Sequence, residues 1–117
     1  MKCMLIFFAD EDAWMAIPEE EREEAGGRIG AWYGEQFRAG RIVEGGKLEG
    51  KSTARTVRLG PAGHSGEPAV SDGTFFDGTH AIGAYTIVDV EDLDAAVAVA
   101  QTWPGGGAVE VRQVTQE

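Results

Sequence analysis

Within residues 72–85, "DGTFFDGTHAIGAY", the chain places two carboxylates, Asp72 and Asp77, and one imidazole, His80. Two carboxylates and a histidine form a ligand set that iron, manganese or zinc accepts, and the same residue types can act as a general acid/base pair. Their spacing matches no compact metal motif. Asp-Gly, which occurs twice here, is by contrast a common turn dipeptide, because glycine adopts positive φ and the aspartate side chain bonds to nearby backbone. No metal and no cofactor is therefore expected. Asp72 reads as a turn residue whose carboxylate accepts the N–H groups of residues 74 and 75, with Gly73 at positive φ. Histidine is the side chain that changes charge near neutral pH, so His80, just before a strand, could serve a cleft. Its bland alternative is a solvated surface residue. If there is catalysis, the candidates are His80 and Asp77.

Phe75, Phe76 and Tyr85 surround this loop, and Trp14 and Trp32 should lie near the ends of the first strand and helix. A mostly apolar pocket with a few polar groups between the sheet and the long loop would then take Asp72, Phe75, Phe76, His80 and Tyr85 as its ligand-binding set. The competing reading is that these aromatic residues are ordinary core. His64, in the turn-rich segment "GPAGHSGEP", reads as a solvated loop residue.

The elements that would position these groups follow from periodicity. Lys2 to Phe8 is a short apolar run and reads as a buried strand. Pro18 at the first helical position, followed by three glutamates, starts a helix whose apolar stripe is Ala25, Ile29, Trp32, Tyr33 and Phe37, ending at Gly40. Ile42 to Leu48, interrupted by Gly45-Gly46, and "TARTVRL" from Thr53 suggest strands, with Thr53, Arg55 and Val57 alternating against their neighbours. "AVS" at 69–71 returns the chain. Residues 81–90 form the clearest strand, with Ile82, Ala84, Thr86 and Val88 on one side and Tyr85 and Ile87 on the other. Asp92 caps a second helix carrying Leu93, Ala96, Val97, Ala100 and Trp103, and "AVEVRQV" closes the order as a strand with one wet face. The fold class is α+β: a ferredoxin-like split βαβ with an extra hairpin before the longest strand, in a single domain spanning residues 1–117. Two helices cover one sheet face only. A second copy of the chain could cover the other, so a homodimer is expected.

The 117 residues carry 20 acidic and 10 basic side chains, a formal net charge of −10. The basic residues read as scattered, so no nucleic-acid partner is expected, because phosphate binding needs clustered Lys and Arg. Apolar residues make up 43% of the chain, which argues against disorder. Cys3 is the only cysteine, which excludes an intrachain disulfide and a cysteine-based zinc cage and fits a reducing compartment. No apolar stretch reaches membrane-spanning length, and acidic residues stand where a signal peptide would have its cleavage site. No membrane association and a cytoplasmic location are expected.

Three segments, "MKCMLIFFADEDAW", "DGTFFDGTHAIGAYTIVDVEDLDAAVAVA" and "GAVEVRQV", together resemble the YCII-related family, in the branch named for its Asp-Gly-Pro-Phe motif. The resemblance runs over nearly the whole chain in the same order. It implies a dimeric α+β barrel in which two ferredoxin-like sheets face each other. It also implies a spread of functions, since some similar proteins lie in transcription-related gene neighbourhoods and some wider relatives are enzymes acting on small aromatic molecules through a His-Asp pair. That pair would come from the first helix, at positions held here by roughly Ile29 and Arg38, neither of which transfers protons near neutral pH. The signature proline is Thr74, and the charged pair that usually follows is Thr79-His80. The residues that carry over are Asp72, Gly73, Phe75, Gly83 and Tyr85.

Three functions are compatible with these residues. One is a small-molecule-binding dimer with a pocket near the Asp72–Phe76 loop. Another is a non-enzymatic regulatory or interaction module, linked to transcription. The last is an enzyme on small aromatic compounds using His80. A cavity with His80 and Tyr85 facing inward would favour a ligand, and a solid core with an exposed apolar patch would favour a protein partner.

Overall fold

Lys2–Ala9 forms strand β1, with Cys3, Leu5 and Phe7 buried on one side and Met4, Ile6 and Phe8 half-buried on the other. The computed structural model of the chain describes residues 1–63, 66–76 and 78–116. After β1 come helices α1 (Glu11–Ala16) and α2 (Glu19–Arg38), strands β2 (Ile42–Lys47), β3 (Arg55–Arg58), β4 (Ala69–Asp72) and β5 (Ala81–Asp89), helix α3 (Leu93–Gln101) and strand β6 (Ala108–Gln113). The main sheet is antiparallel in the order β2-β5-β1-β6, and β3 and β4 pair separately as a hairpin. This is the α+β class expected from the sequence, with the split βαβ order and the inserted hairpin in place. The four-stranded sheet is open, not a closed barrel.

Helix α1 is the element that periodicity did not show. Its apolar content is small, and what makes it is the Asp10 cap, whose carboxylate accepts the Ala13 N–H at 3.0 Å while Glu11 and Asp12 suit the positive end of the helix. Pro18 turns out to be the N-cap of α2, one residue before the helix. The stripe of α2 holds Ala25, Ile29, Trp32 and Tyr33 as expected and departs from the expected one at its end. Ala25, Trp32 and Gln36 are buried, whereas Phe37 is 71% exposed. Gln36 takes the inner place because the Arg41 guanidinium donates to its side-chain oxygen at 2.8 Å, which satisfies a polar group that burial would otherwise penalise. In α3, capped by Asp92 through the Ala95 N–H at 2.8 Å, Ala96 and Val99 are the buried pair, and Leu93 and Val97 are exposed.

Strand β2 continues through Gly45-Gly46 where an interruption was expected. The ladder to β5 supplies the backbone bonds, and the close approach requires glycine, since a Cβ on Gly45 would lie 2.9 Å from the Tyr85 carbonyl oxygen. In β3 Thr56 is buried and Arg55 and Val57 are exposed, and the strand starts later than expected, Thr53 lying in a preceding 3₁₀ turn, Lys51–Thr53.

The core lies between the sheet and helices α2 and α3. Phe7, Trp32, Tyr33 and Trp103 form one aromatic cluster, with ring centroids 4.2 to 6.1 Å apart. Its polar edges are satisfied, Trp32 Nε1 donating to Thr102 Oγ1 at 2.8 Å and the Tyr33 hydroxyl lying 3.1 Å from Thr86 Oγ1. On the reverse of the sheet, Ile6 faces Tyr85 and Met4 faces Ile87 across the β1–β5 ladder, and among the described residues none of the four belongs to the core cluster under the helices. The molecule is accordingly flat. It measures 48 × 43 × 18 Å with a radius of gyration of 16.6 Å, against about 13 Å for a compact domain of this length. Among the described residues no helix is long and apolar enough to cross a membrane.

Candidate functional site

At the end of the uncovered sheet face, where β1 finishes and β5 begins, Phe8, Ala81 and Ile82 form the floor of an open groove of about 690 Å³. One wall is the segment after β2, from Leu48 to Val57; the other is the loop that carries Phe75, Phe76 and His80.

Each wall is held by identifiable bonds. The Leu48 N–H donates to the Gly83 carbonyl at 2.9 Å, which extends the β2–β5 ladder one step past the strand. Beyond it the chain turns outward, and Glu11 fixes the turn by accepting the Lys51 N–H on both carboxylate oxygens, at 2.8 and 3.2 Å. Helix α1 thus exists to good purpose, since it presents Glu11 to this segment. Lys51 Nζ also lies 3.2 Å from Asp12. The opposite wall is tied to β3: the Gly73 N–H donates to the Ala54 carbonyl and the Thr56 hydroxyl donates to the Gly73 carbonyl, both at 2.8 Å. Gly73 has φ of 99°, as the turn reading required.

The carboxylate of Asp72 does not do what the turn reading assigned to it. Among the described residues it accepts neither the Thr74 nor the Phe75 N–H, and its contact is an exposed one, 3.8 Å from Arg55 Nε. The bonds from Ala54 and Thr56 already anchor Gly73, so the side chain has no turn left to close. Instead the Thr74 hydroxyl donates to the Phe76 carbonyl at 2.8 Å and draws the two phenylalanines together, their rings 5.6 Å apart and edge to face. Arg58 stacks its guanidinium over Phe75 at 5.8 Å and is held by Ser71 Oγ at 2.8 Å. His80 Nδ1 is 3.0 Å from Thr79 Oγ1.

Of the five residues expected to bind a ligand, the structure therefore brings Phe75, Phe76 and His80 to one groove and leaves two outside it. Asp72 is on the hairpin surface, and Tyr85 lies on the uncovered sheet face beside Gly46. Phe75 and Phe76 are 66% and 74% exposed, so these two are not core packing. Trp32, by contrast, is core. Asp77 and His64 lie outside the described residues. Among the described residues no three His, Cys, Asp or Glu side chains converge as a metal site requires. Ile29 is half-buried on α2 and Arg38 is exposed at its end, on an element that contributes nothing to the groove.

Sequence reasoning missed Leu48, Lys51 and Arg55 as wall residues, and it missed Glu11. A signal was available for two of them. Lys47, Lys51, Arg55 and Arg58, four of the ten basic residues, fall within residues 47–58, where Glu49 is the single acid. The whole-chain charge hides that run.

A family model described as the YCII-related domain matches the chain over residues 1–117. No curated protein matches it.

Proposed function

Since the chain belongs to the YCII-related family, we propose that it is a small-molecule-binding protein that works as a homodimer and holds its ligand in the groove beside the Asp72–Phe76 loop. One observation carries this reading: two neighbouring phenylalanines wall a groove next to His80 and stand largely in water. Leaving a phenylalanine exposed forgoes about 1.5–3 kcal/mol of burial per ring, which a planar apolar ligand would recover in part. Asp72, Gly73 and Phe75 support membership of the branch named for the Asp-Gly-Pro-Phe motif, with Thr74 in the proline position.

Surface area supports the dimer. The chain exposes 8357 Å², whereas a compact monomer of this mass exposes about 6,200 Å². The difference, roughly 2,000 Å² per chain, is of the order that an obligate homodimer hides. Met4, Ile6, Tyr85 and Ile87 supply the apolar face for it, and two such sheets face to face would form the α+β barrel of the resemblance. The lone cysteine, buried in β1, is in keeping with a cytoplasmic protein.

A second reading, a regulatory or interaction module, is favoured by Val57, Leu59 and Val70, exposed apolar residues along the β3–β4 hairpin. The two readings part in one experiment. A panel of small planar compounds is titrated by calorimetry against wild type and a Phe75→Ala/Phe76→Ala double variant. Binding lost in the variant with the melting temperature kept supports the ligand reading; a silent panel against wild type removes it. His80 as a catalytic base has the least support, because among the described residues its ring meets a hydroxyl and no carboxylate.

A further inference from the structure

We infer that the ligand of this groove is a small planar anion, an aromatic or conjugated carboxylate in chemical terms, whose ring lies against Phe75 and Phe76 and whose charge is taken by Arg55. This rests on the ligand-binding reading above and adds the class of ligand to it.

The acids outnumber the lysines and arginines two to one over the whole chain, 20 against 10, so most of this surface repels anions. The groove departs from that average. Among the described residues its lining holds two permanent cations, Lys51 and Arg55, against one carboxylate, Glu49. A third cation, Arg58, stacks on the outside of the Phe75 wall. The two lining cations are not equally free. Lys51 is engaged by Asp12 at 3.2 Å, and its backbone N–H is held by Glu11. Among the described residues the one ion-pair contact of Arg55 is Asp72 at 3.8 Å, with 76% and 95% of the two side chains exposed. That separation is too long for a hydrogen bond, and water screens it. Arg55 therefore has its donor fork available, and a guanidinium matches a carboxylate with two parallel bonds where an ammonium offers a point charge.

The apolar part of the ligand follows from the other lining groups. Phe8 and the two exposed phenylalanines offer ring faces and edges, Ile82 adds an aliphatic surface, and together they offer few fixed hydrogen-bond partners. A sugar or a free inorganic anion would leave that surface unused. A polyanion such as nucleic acid would need cations along an extended face, and the acidic remainder of the chain does not provide one.

The probes are 2-naphthoate and its neutral isostere 2-naphthamide, titrated by calorimetry against the full-length protein at low and at high salt. The expected result is that naphthoate binds about 10-fold or more tightly than naphthamide at low salt, the usual worth of a charge-assisted hydrogen bond. Arg55→Gln should bring naphthoate down to the naphthamide level without changing naphthamide. Arg55→Lys should restore part of the difference, and salt should weaken naphthoate alone. Because Arg55 is exposed and outside the core, these variants should melt with wild type. Equal binding of the two probes, or a preference for naphthoate that survives in Arg55→Gln, overturns this inference and leaves the groove a ligand site. Binding of neither probe, with a wider neutral and anionic panel also silent, removes the ligand reading itself and this inference with it.

Discussion

Replacing Ile6 with lysine tests the dimer where it is most exposed to failure. Ile6 sits mid-strand on the uncovered face, opposite Tyr85 on one side and Glu110 on the other. Its side chain points away from Cys3, Leu5 and Phe7, so the substitution leaves the core packing untouched. Lysine is the informative choice because its cross-strand neighbour is Glu110, an opposite charge that suits the monomer. In a dimer closed through this face the same change removes two isoleucines by symmetry. Fully burying such a side chain is worth about 1.5–3 kcal/mol, and Ile6 is already half-covered, so about 1–2 kcal/mol per copy remains to be lost. The pair then loses about 2–4 kcal/mol, which is between one and three powers of ten in dissociation constant, before any cost of stripping water from two ammonium groups. Sedimentation velocity over a range of micromolar concentrations reads this directly. Wild type should sediment as a dimer, and Ile6→Lys as a monomer with unchanged far-ultraviolet dichroism. A wild-type monomer at these concentrations, or an Ile6→Lys dimer as tight as wild type, would refute the reasoning.

Three further outcomes are expected. Asp72→Asn should change the melting temperature little, since its carboxylate has only an exposed contact with Arg55, while Gly73→Val should cost about 1–3 kcal/mol because a β-branched residue is strained at positive φ; chemical denaturation distinguishes them, and the reverse order would assign Asp72 a charge role. Glu11→Ala should speed amide hydrogen exchange at Lys51 and its 3₁₀ turn and cost about 1–3 kcal/mol, the worth of hydrogen bonds to a charged acceptor; unchanged exchange there would mean that α1 does not hold the groove wall. A screen of small aromatic and lactone substrates should show no turnover of the His-Asp type, because Ile29 and Arg38 stand where the pair would be; turnover that disappears in His80→Ala would make His80 a catalytic residue.

How far the sequence spoke for the fold depended on the kind of signal. Periodicity gave α2, β5, α3 and, imperfectly, β6, and a short apolar run gave β1, because each of these elements buries one side against a common core. It failed where burial was not the cause. Helix α1 is made by the Asp10 cap and acidic first turn, and β2 runs through Gly45-Gly46 because a neighbouring strand approaches too closely for a side chain. In α2 a local hydrogen bond put Gln36 inside and Phe37 outside, which hydropathy alone reverses. The groove was legible in part. Phe75, Phe76 and His80 are adjacent in the chain and meet in space, so the loop announced them. Glu11, Lys51 and Arg55 come from segments that only the tertiary fold brings together, and Tyr85 was lost to the groove because it lies further along β5, beside Gly46.

The measurement that tests the account most directly is a crystal structure of the protein grown with 2-naphthoate. The expected result is a two-fold dimer through the Ile6 face, with the probe's ring against Phe75 and Phe76 and its carboxylate at Arg55. A groove closed by the partner's own side chains, with no room for a probe, would contradict it.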